Sequence, residues 1–281
     1  MPPISPVLST YVSTVRETDQ QMVGLEFMSV LPQRGPVTLS FNLSPLKDAM
    51  QSTQGVAIVV DDLTEKKRLE AQRRLFARMV SPKVIDQLDP DKLQLGGKRT
   101  QITTLFADIR GFTSFSEEHE PEQLVSVLNR YLAAAAEAVL AEDGTIDKFL
   151  GDAVMAWFNA PILQPDHLLR SVRAALGIRE AVMGLYKELP PEYHLSFGVG
   201  VHFGDVVLGL VGSEKQLEYT AIGDSVNTAK RIQENAKAGQ ILISGDVYKQ
   251  IQDQIRVKLV EPIIAKGKRK PVEVYEVLAL Q

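Results

Sequence analysis

Two aspartates in this chain sit where a carboxylate is costly to keep. Asp108 lies inside Ile102–Thr113 (ITTLFADIRGFT), and Asp152 closes Asp147–Asp152 (DKFLGD). Each follows an apolar, β-biased run and has a glycine close by, Gly111 or Gly151. An aspartate in such a run is expensive to bury unless something pairs with it. Gly111, with no Cβ, lets a backbone come close to a ligand. Residues 145–150, the Gly151-Asp152 turn and residues 153–158 read as a hairpin. If its strands neighbour the first run, Asp108 and Asp152 converge. Two carboxylates there suit a hard divalent cation, typically magnesium carrying a nucleotide's phosphates. Aspartate near glycine also makes plain turns, but two such segments, each at the end of an apolar strand in one domain, argue for a site.

The elements that must hold these residues follow from the hydrophobic period. A strand at 101–109 precedes a helix at 121–141, started by Pro121 and stopped at Gly144. The hairpin follows, then a helix over about 166–188, with Leu169, Val172, Leu176 and Val182 as core positions. Residues 195–202 and 206–211 read as a pair of strands around Gly204-Asp205. A helix over 225–237, a strand at 240–244, a short helix and strands near 255–264 and 271–279 complete the chain. This is an α+β order, a ferredoxin-like βαββαβ core with appended C-terminal strands. Such a fold hosts many functions and decides none.

Composition narrows the classes. Of 281 residues, 44% are hydrophobic and 23% charged, an ordinary globular balance. The net charge of −4 gives no electrostatic footprint for nucleic acid. With no cysteine, disulfides, thiolate metal sites and cysteine nucleophiles are excluded. His119, His167, His194 and His202 lack ligand spacing, against a histidine-built zinc site. The longest apolar run, 132–140, is too short for a membrane span, and the Met-Pro-Pro start carries no signal-peptide pattern. The chain therefore reads as cytosolic.

Ahead of residue 97 the pattern changes. Three strands, 22–31, 36–43 and 55–61, are separated by turn residues. The run SFNLSPLKDAMQSTQGVAIVVDDLTEKKRLEAQ resembles the C-terminal half of a PAS sensor domain leading into its exit helix, although no helical front is recognisable. Asp62 and Glu65 form a capping-box pattern opening a charged helix. Leu69, Phe76 and Met79 give it a short heptad seam suited to a parallel connector in a dimer. Ser81-Pro82 ends or kinks it, and a short amphipathic piece at 83–88 follows. The expected division is a partial PAS-like segment at 1–61, a linker at 62–96 and a catalytic domain at 97–281.

In that last domain TLFADIRGFTSFSE, DKFLGDAVMAWF, GVGVHFGDVVLGLVG, TAIGDSVNTAKRI and KGKRKPVEVYEV, in this order, resemble the catalytic domain of the class III nucleotidyl cyclases. FARMVSPKVIDQL is similar to the transducer segment preceding many bacterial members. The resemblance implies that Asp108, Asp152 and the carbonyl of Ile109 hold two divalent ions, Mg²⁺ or Mn²⁺. Backbone from Ile109 through Gly111 and Phe112 to Thr113 would cradle phosphate. Asn227 would orient the ribose, and Arg231, four residues on and on the same helix face, would neutralise charge at the α-phosphate. Lys266 would contact the terminal phosphates. Lys148 and Thr220 would read the base. A lysine there suits adenine, whereas guanylyl members carry glutamate. Threonine at the second position resembles the bicarbonate-responsive subgroup. In the family the metal aspartates come from one subunit and the base, ribose and arginine groups from the other, which implies a homodimer with two shared sites.

The leading expectation is an adenylate cyclase turning ATP into cyclic AMP and pyrophosphate, with a bicarbonate or PAS-ligand regulator. A guanylate cyclase is the alternative. A cyclic-dinucleotide synthase lacks its GG-[DE]-[DE]-F turn. A catalytically dead scaffold would have lost an aspartate or the arginine, and none is lost.

Overall fold

The structure is a computed structural model that describes residues 4–79, 96–213, 216–263 and 271–281; the side chains of 4–6 and 72–79 lie outside that description. Two compact units divide the chain, one over Met1–Met79 and one over Val80–Gln281.

The first unit opens with α1 (Ile4–Thr18), which the sequence reading did not anticipate. Three strands follow, β1 (Met22–Leu31), β2 (Gly35–Lys47) and β3 (Thr53–Asp62), in an antiparallel meander. Leu8, Tyr11, Val12 and Val15 recur at helical spacing and cover Phe41 and Leu43 of β2. The charged helix is α2 (Thr64–Met79). Its entry differs from a capping box: Asp62 accepts from the Thr64 N–H at 3.0 Å, and the Thr64 hydroxyl accepts from the Thr38 N–H. Leu69 is exposed; the Phe76 and Met79 side chains of the proposed seam lie outside the described residues, as do Ser81-Pro82 and 83–88.

The second unit is built on β4 (Gly96–Arg110). After it come α3 (Phe112–Glu118), α4 (Pro121–Ala141), β5 (Thr145–Leu150), β6 (Ala153–Phe158) and α5 (His167–Leu185). Then follow β7 (Ser196–Ser213), β8 (Gln216–Ile222), α6 (Asp224–Glu234), β9 (Ile241–Ser244), α7 (Gly245–Ile251), β10 (Ile255–Leu259) and β11 (Val274–Leu280). The sheet runs β10-β11-β9-β7-β4-β6-β5, with β8 paired to β7. The inner four, β7-β4-β6-β5, give the ferredoxin-like arrangement.

Alternation along β4 sorts its side chains to two faces. Leu105, Ala107 and Ile109 pack with Val127, Tyr131 and Val139 of α4 and Val172, Ala175 and Ile178 of α5. Burying each such aliphatic side chain stabilises the fold by about 2 kcal/mol. Ile102 and Phe106 face the other way, against Trp157, Val206, Ala221 and Ala229. Asp108 continues this second series, so the metal-type carboxylate belongs to the face that carries α6 and β8.

The pair of strands expected at 195–202 and 206–211 is instead one strand, β7, paired with β4 from Gly96↔Leu210 to Arg110↔Ser196. Gly204-Asp205 makes no turn. Gly204 is needed because a Cβ there would lie 2.7 Å from Ser225 Oγ of α6. At Gly200 a Cβ would meet the Gln233 backbone N at 2.2 Å. These glycines seat α6 directly on the sheet.

α4 as a whole, longer than its 132–140 apolar run, is long and apolar enough by length and composition to cross a membrane. Here it is a core helix, with Tyr131 and Ala135 fully buried. The expected strand at 255–264 stops at Leu259, and beyond it Ile263 bridges Val272.

Candidate active site

Pairing of β4 with β6 sets Asp108 opposite Ala153, and the Ile109 N–H donates to the Asp152 carbonyl at 3.3 Å. Asp108 and Asp152 thus stand at neighbouring strand ends. Gly151 takes φ 64° and Gly111 φ 77°, left-handed values that favour glycine and turn the chain sharply after each run. From Gly111 the backbone enters α3, whose first turn has no side-chain cap.

Burial raises the Asp108 pKa above the ordinary carboxylate range, and the Asp152 charge adds to the rise. Arg110, at 3.3 Å, and Lys230 offset it. Arg110 Nη2 also donates to the Gln233 carbonyl. Arg110 Nε and Gln233 Nε2 are buried with no hydrogen-bond partner among the described residues. A half-buried carboxylate repelled by a second one is a donor set that a divalent cation would relieve. Among the described residues no three His, Asp or Glu side chains converge. Two carboxylates alone would leave the remaining positions around a hard cation to phosphate and water, which suits magnesium.

A second cluster forms where β8 crosses toward β5. The Thr220 hydroxyl donates to Asp147 Oδ2 at 2.8 Å, and Lys148 pairs with Glu218. Neighbours in a regular strand point to opposite faces. Here Ile146 pairs with Ala156 and Lys148 with Met155, so Asp147 is an inserted residue. This bulge re-aims the strand and lets adjacent side chains reach one face of β8. Trp157 and Tyr219 rings, 6.4 Å apart, pack beneath it.

α6 turns Thr228, Ala229 and Ile232 to the sheet, leaving Asn227 exposed and Arg231 half-buried. Among the described residues, neither side chain reaches Asp108 or Asp152 through a hydrogen bond or ion pair. Lys266 lies outside the described residues. The structure thus brings Asp108 to Asp152, and Lys148 to the strand carrying Thr220, but not Asn227 or Arg231 to the aspartates.

The profile of the adenylate and guanylate cyclase catalytic domain matches residues 97–279. The chain belongs to this cyclase family. Adenylate cyclase 1 of Rhizobium meliloti (strain 1021) is 34% identical over 208 residues, covering 71% of this chain and 31% of the relative. An adenylate cyclase of Anabaena cylindrica is 33% identical over 219 residues, covering 73% and 43%. The chain thus spans less than half the length of these curated relatives. Among solved structures, the adenylyl cyclase CyaB from P. aeruginosa is 35% identical with TM-score 0.62, over 66% of this chain and 96% of that one. The guanylyl cyclase Cya2 is 36% identical with TM-score 0.61 over the same shares. Cyclases of this family act on nucleotides and use divalent metals.

Four residues of this cyclase domain escaped the sequence reading: Arg110, Gln233, Asp147 and Glu218. Asp147 left the clearest trace, a second carboxylate within the apolar arm that carries Lys148.

Proposed function

We propose that this cyclase domain is an adenylate cyclase, converting ATP to cyclic AMP and pyrophosphate in a homodimer with two shared sites. The observation that carries the reading is the half-buried Asp108 set beside Asp152, in a chain that also sets Lys148 beside the strand of Thr220. Asp108, Asp152 and the Ile109 carbonyl would hold two Mg²⁺ or Mn²⁺ ions. Bound there, they lower the pKa of the ribose 3′-hydroxyl and take up triphosphate charge. Backbone at Ile109, Gly111, Phe112 and Thr113 cradles phosphate, Asn227 orients the ribose, and Arg231 neutralises charge growing at the α-phosphate as its P–O bond to pyrophosphate breaks. Lys266 contacts the terminal phosphates. The Lys148 ammonium, donor only, faces a ring nitrogen of adenine.

Asp108 and Asp152 form one set and Asn227 and Arg231, on α6, another, and the family resemblance divides these two sets between subunits, which supports a site completed by a second copy. The N-terminal unit serves as a PAS-like regulatory element, and Thr220 marks a bicarbonate-responsive type. Similarity to Cya2 keeps guanylate cyclase as the second reading. One assay separates them: purified protein with MgATP or MnATP, and with GTP as control. Cyclic AMP formed in clear preference to cyclic GMP is expected; cyclic GMP as the main product overturns the adenylate assignment.

A further inference from the structure

We propose that Asp147 determines base choice, by engaging the Thr220 hydroxyl proton and leaving that oxygen to face the nucleotide as an acceptor. This rests on the reading of Lys148 and Thr220 as base contacts.

A threonine hydroxyl carries one proton and two lone pairs, and free rotation lets it donate or accept. Such a group alone discriminates poorly between bases. Adenine presents a donor at its exocyclic N6 amine, and guanine an acceptor at O6. An oxygen whose proton is already engaged offers lone pairs only, so it accepts from adenine N6 and repels guanine O6. Thr220 is in that state: its hydroxyl donates to Asp147 Oδ2 at 2.8 Å. At 9% exposure little water reaches it, so the carboxylate fixes the rotor.

The local backbone is built for this contact. Asp147 is the inserted residue between the Ile146↔Ala156 and Lys148↔Met155 pairs. Without the insertion, Asp147 and Lys148 would point to opposite faces of β5. With it, Asp147 reaches Thr220 and Lys148 reaches Glu218, two residues apart on one face of β8. Donor and acceptor for the base are thereby set side by side. Glu218 holds the lysine in place until a base accepts its hydrogen bond. Asp147 has no part in the two-aspartate site, which the β5–β6 turn supplies from Asp152.

The test is a double-mutant cycle with Asp147→Ala, the near-isosteric Thr220→Val and the pair combined, each assayed for kcat/KM with ATP and with GTP. Thr220→Val is expected to lower the ATP-to-GTP ratio about tenfold. Asp147→Ala is expected to do the same, in part by raising kcat/KM for GTP, because the freed hydroxyl can donate to O6. In the combined variant the ratio should fall no further than with Thr220→Val alone. If Thr220→Val leaves the ratio unchanged, the base-contact reading itself is wrong. If Thr220→Val lowers it while Asp147→Ala does not, or if the two effects add, Asp147 does not act through Thr220 and the proposal falls alone. Should Asp147→Ala not fold, the wild-type ratio between pH 7.5 and 5.5 decides. Burial holds the Asp147 carboxyl up to about 6, with Thr220 and Lys148 favouring its charged form and Glu218 opposing it. Protonation lets Asp147 donate and frees Thr220, so the ratio should fall in the wild type and stay flat in Thr220→Val. A flat wild-type ratio overturns the proposal.

Discussion

The Ile109 N–H donates to the Asp152 carbonyl at 3.3 Å, one hydrogen bond between the C-terminal end of β4, which carries Asp108, and the turn that leads into β6. It continues the β4–β6 ladder beyond Asp108↔Ala153 and fixes how far apart the two carboxylates can move. The backbone thus sets the half-buried Asp108 beside Asp152 with no ligand present, an arrangement preorganised for a positive charge.

Asp108→Asn and Asp152→Asn should each reduce cyclic AMP formation by about a hundredfold or more, since each removes an anionic ligand. Asp108 carries a raised pKa, so its folded-state stability is full below the unfolded value and is lost as pH rises through the folded one. Neutralising it should then leave the metal-free Tm at pH 7.5 unchanged or higher. Calorimetry alongside the assay checks both. Near-normal turnover with Mg²⁺ would discard the metal assignment.

Lys148→Glu exchanges a donor for an acceptor opposite the base and also sets two glutamates face to face, because Glu218 is the present partner. The ATP-to-GTP rate ratio should fall by about tenfold or more. An unchanged ratio means that Lys148 does not read the base.

Asp147→Asn should raise Tm by a few degrees at pH 7.5 and by almost nothing near pH 4. The sign follows from a carboxyl held at about 6 in the folded state, above its unfolded value. Its contribution is full below the unfolded pKa and is lost as pH climbs through about 6. A Tm difference that does not vary with pH contradicts this account.

Bicarbonate should increase turnover at constant pH, a consequence of the Thr220 subgroup resemblance. Titration against sodium chloride at matched ionic strength is the measurement, and a flat response rejects the regulator without touching the cyclase assignment.

Coexpressed Asp108→Asn and Arg231→Ala chains should recover activity that neither variant has alone. In a mixed dimer one site collects both lesions and the other neither. With random pairing about half the dimers are mixed, so recovery should reach roughly a quarter of wild type. Demonstrably mixed dimers as inactive as the parents would show that each site is built from one chain.

The parts of this fold legible in sequence were those where hydrophobic period and local chemistry agree. β4, α4 and the β5–β6 hairpin came out because Pro121 and Gly151 punctuate clear patterns. α1 was missed although Leu8, Tyr11, Val12 and Val15 have helical spacing, because the flanking prolines and the lack of a familiar motif hid it. β7 was split at Gly204-Asp205 because that dipeptide reads locally as a turn. It stays extended because β4 pairs with it throughout, Ile102 with Gly204 and Gln101 with Asp205, and the glycine makes room for Ser225 of α6, which no local pattern carries. At the site, the aspartates, Lys148, Thr220, Asn227 and Arg231 were legible as motif. The Asp147 contact was not, since an inserted residue changes which way a side chain points without changing composition.

The β4–β7 ladder also sets the order in which this domain can assemble. Its paired ends, Gly96 with Leu210 and Arg110 with Ser196, lie far apart in the chain. Closing such a loop costs entropy before any contact repays it. The α4, β5, β6 and α5 segment lies wholly between the two strands and can form first from nearer contacts. α6 rests on β7, so the helix bearing Asn227 and Arg231 has no seat until the ladder is closed. During synthesis the aspartates are therefore made early and their surroundings finished late. The emerging chain brings Asp108 and Asp152 together well before it has a seat for the helix of Asn227 and Arg231.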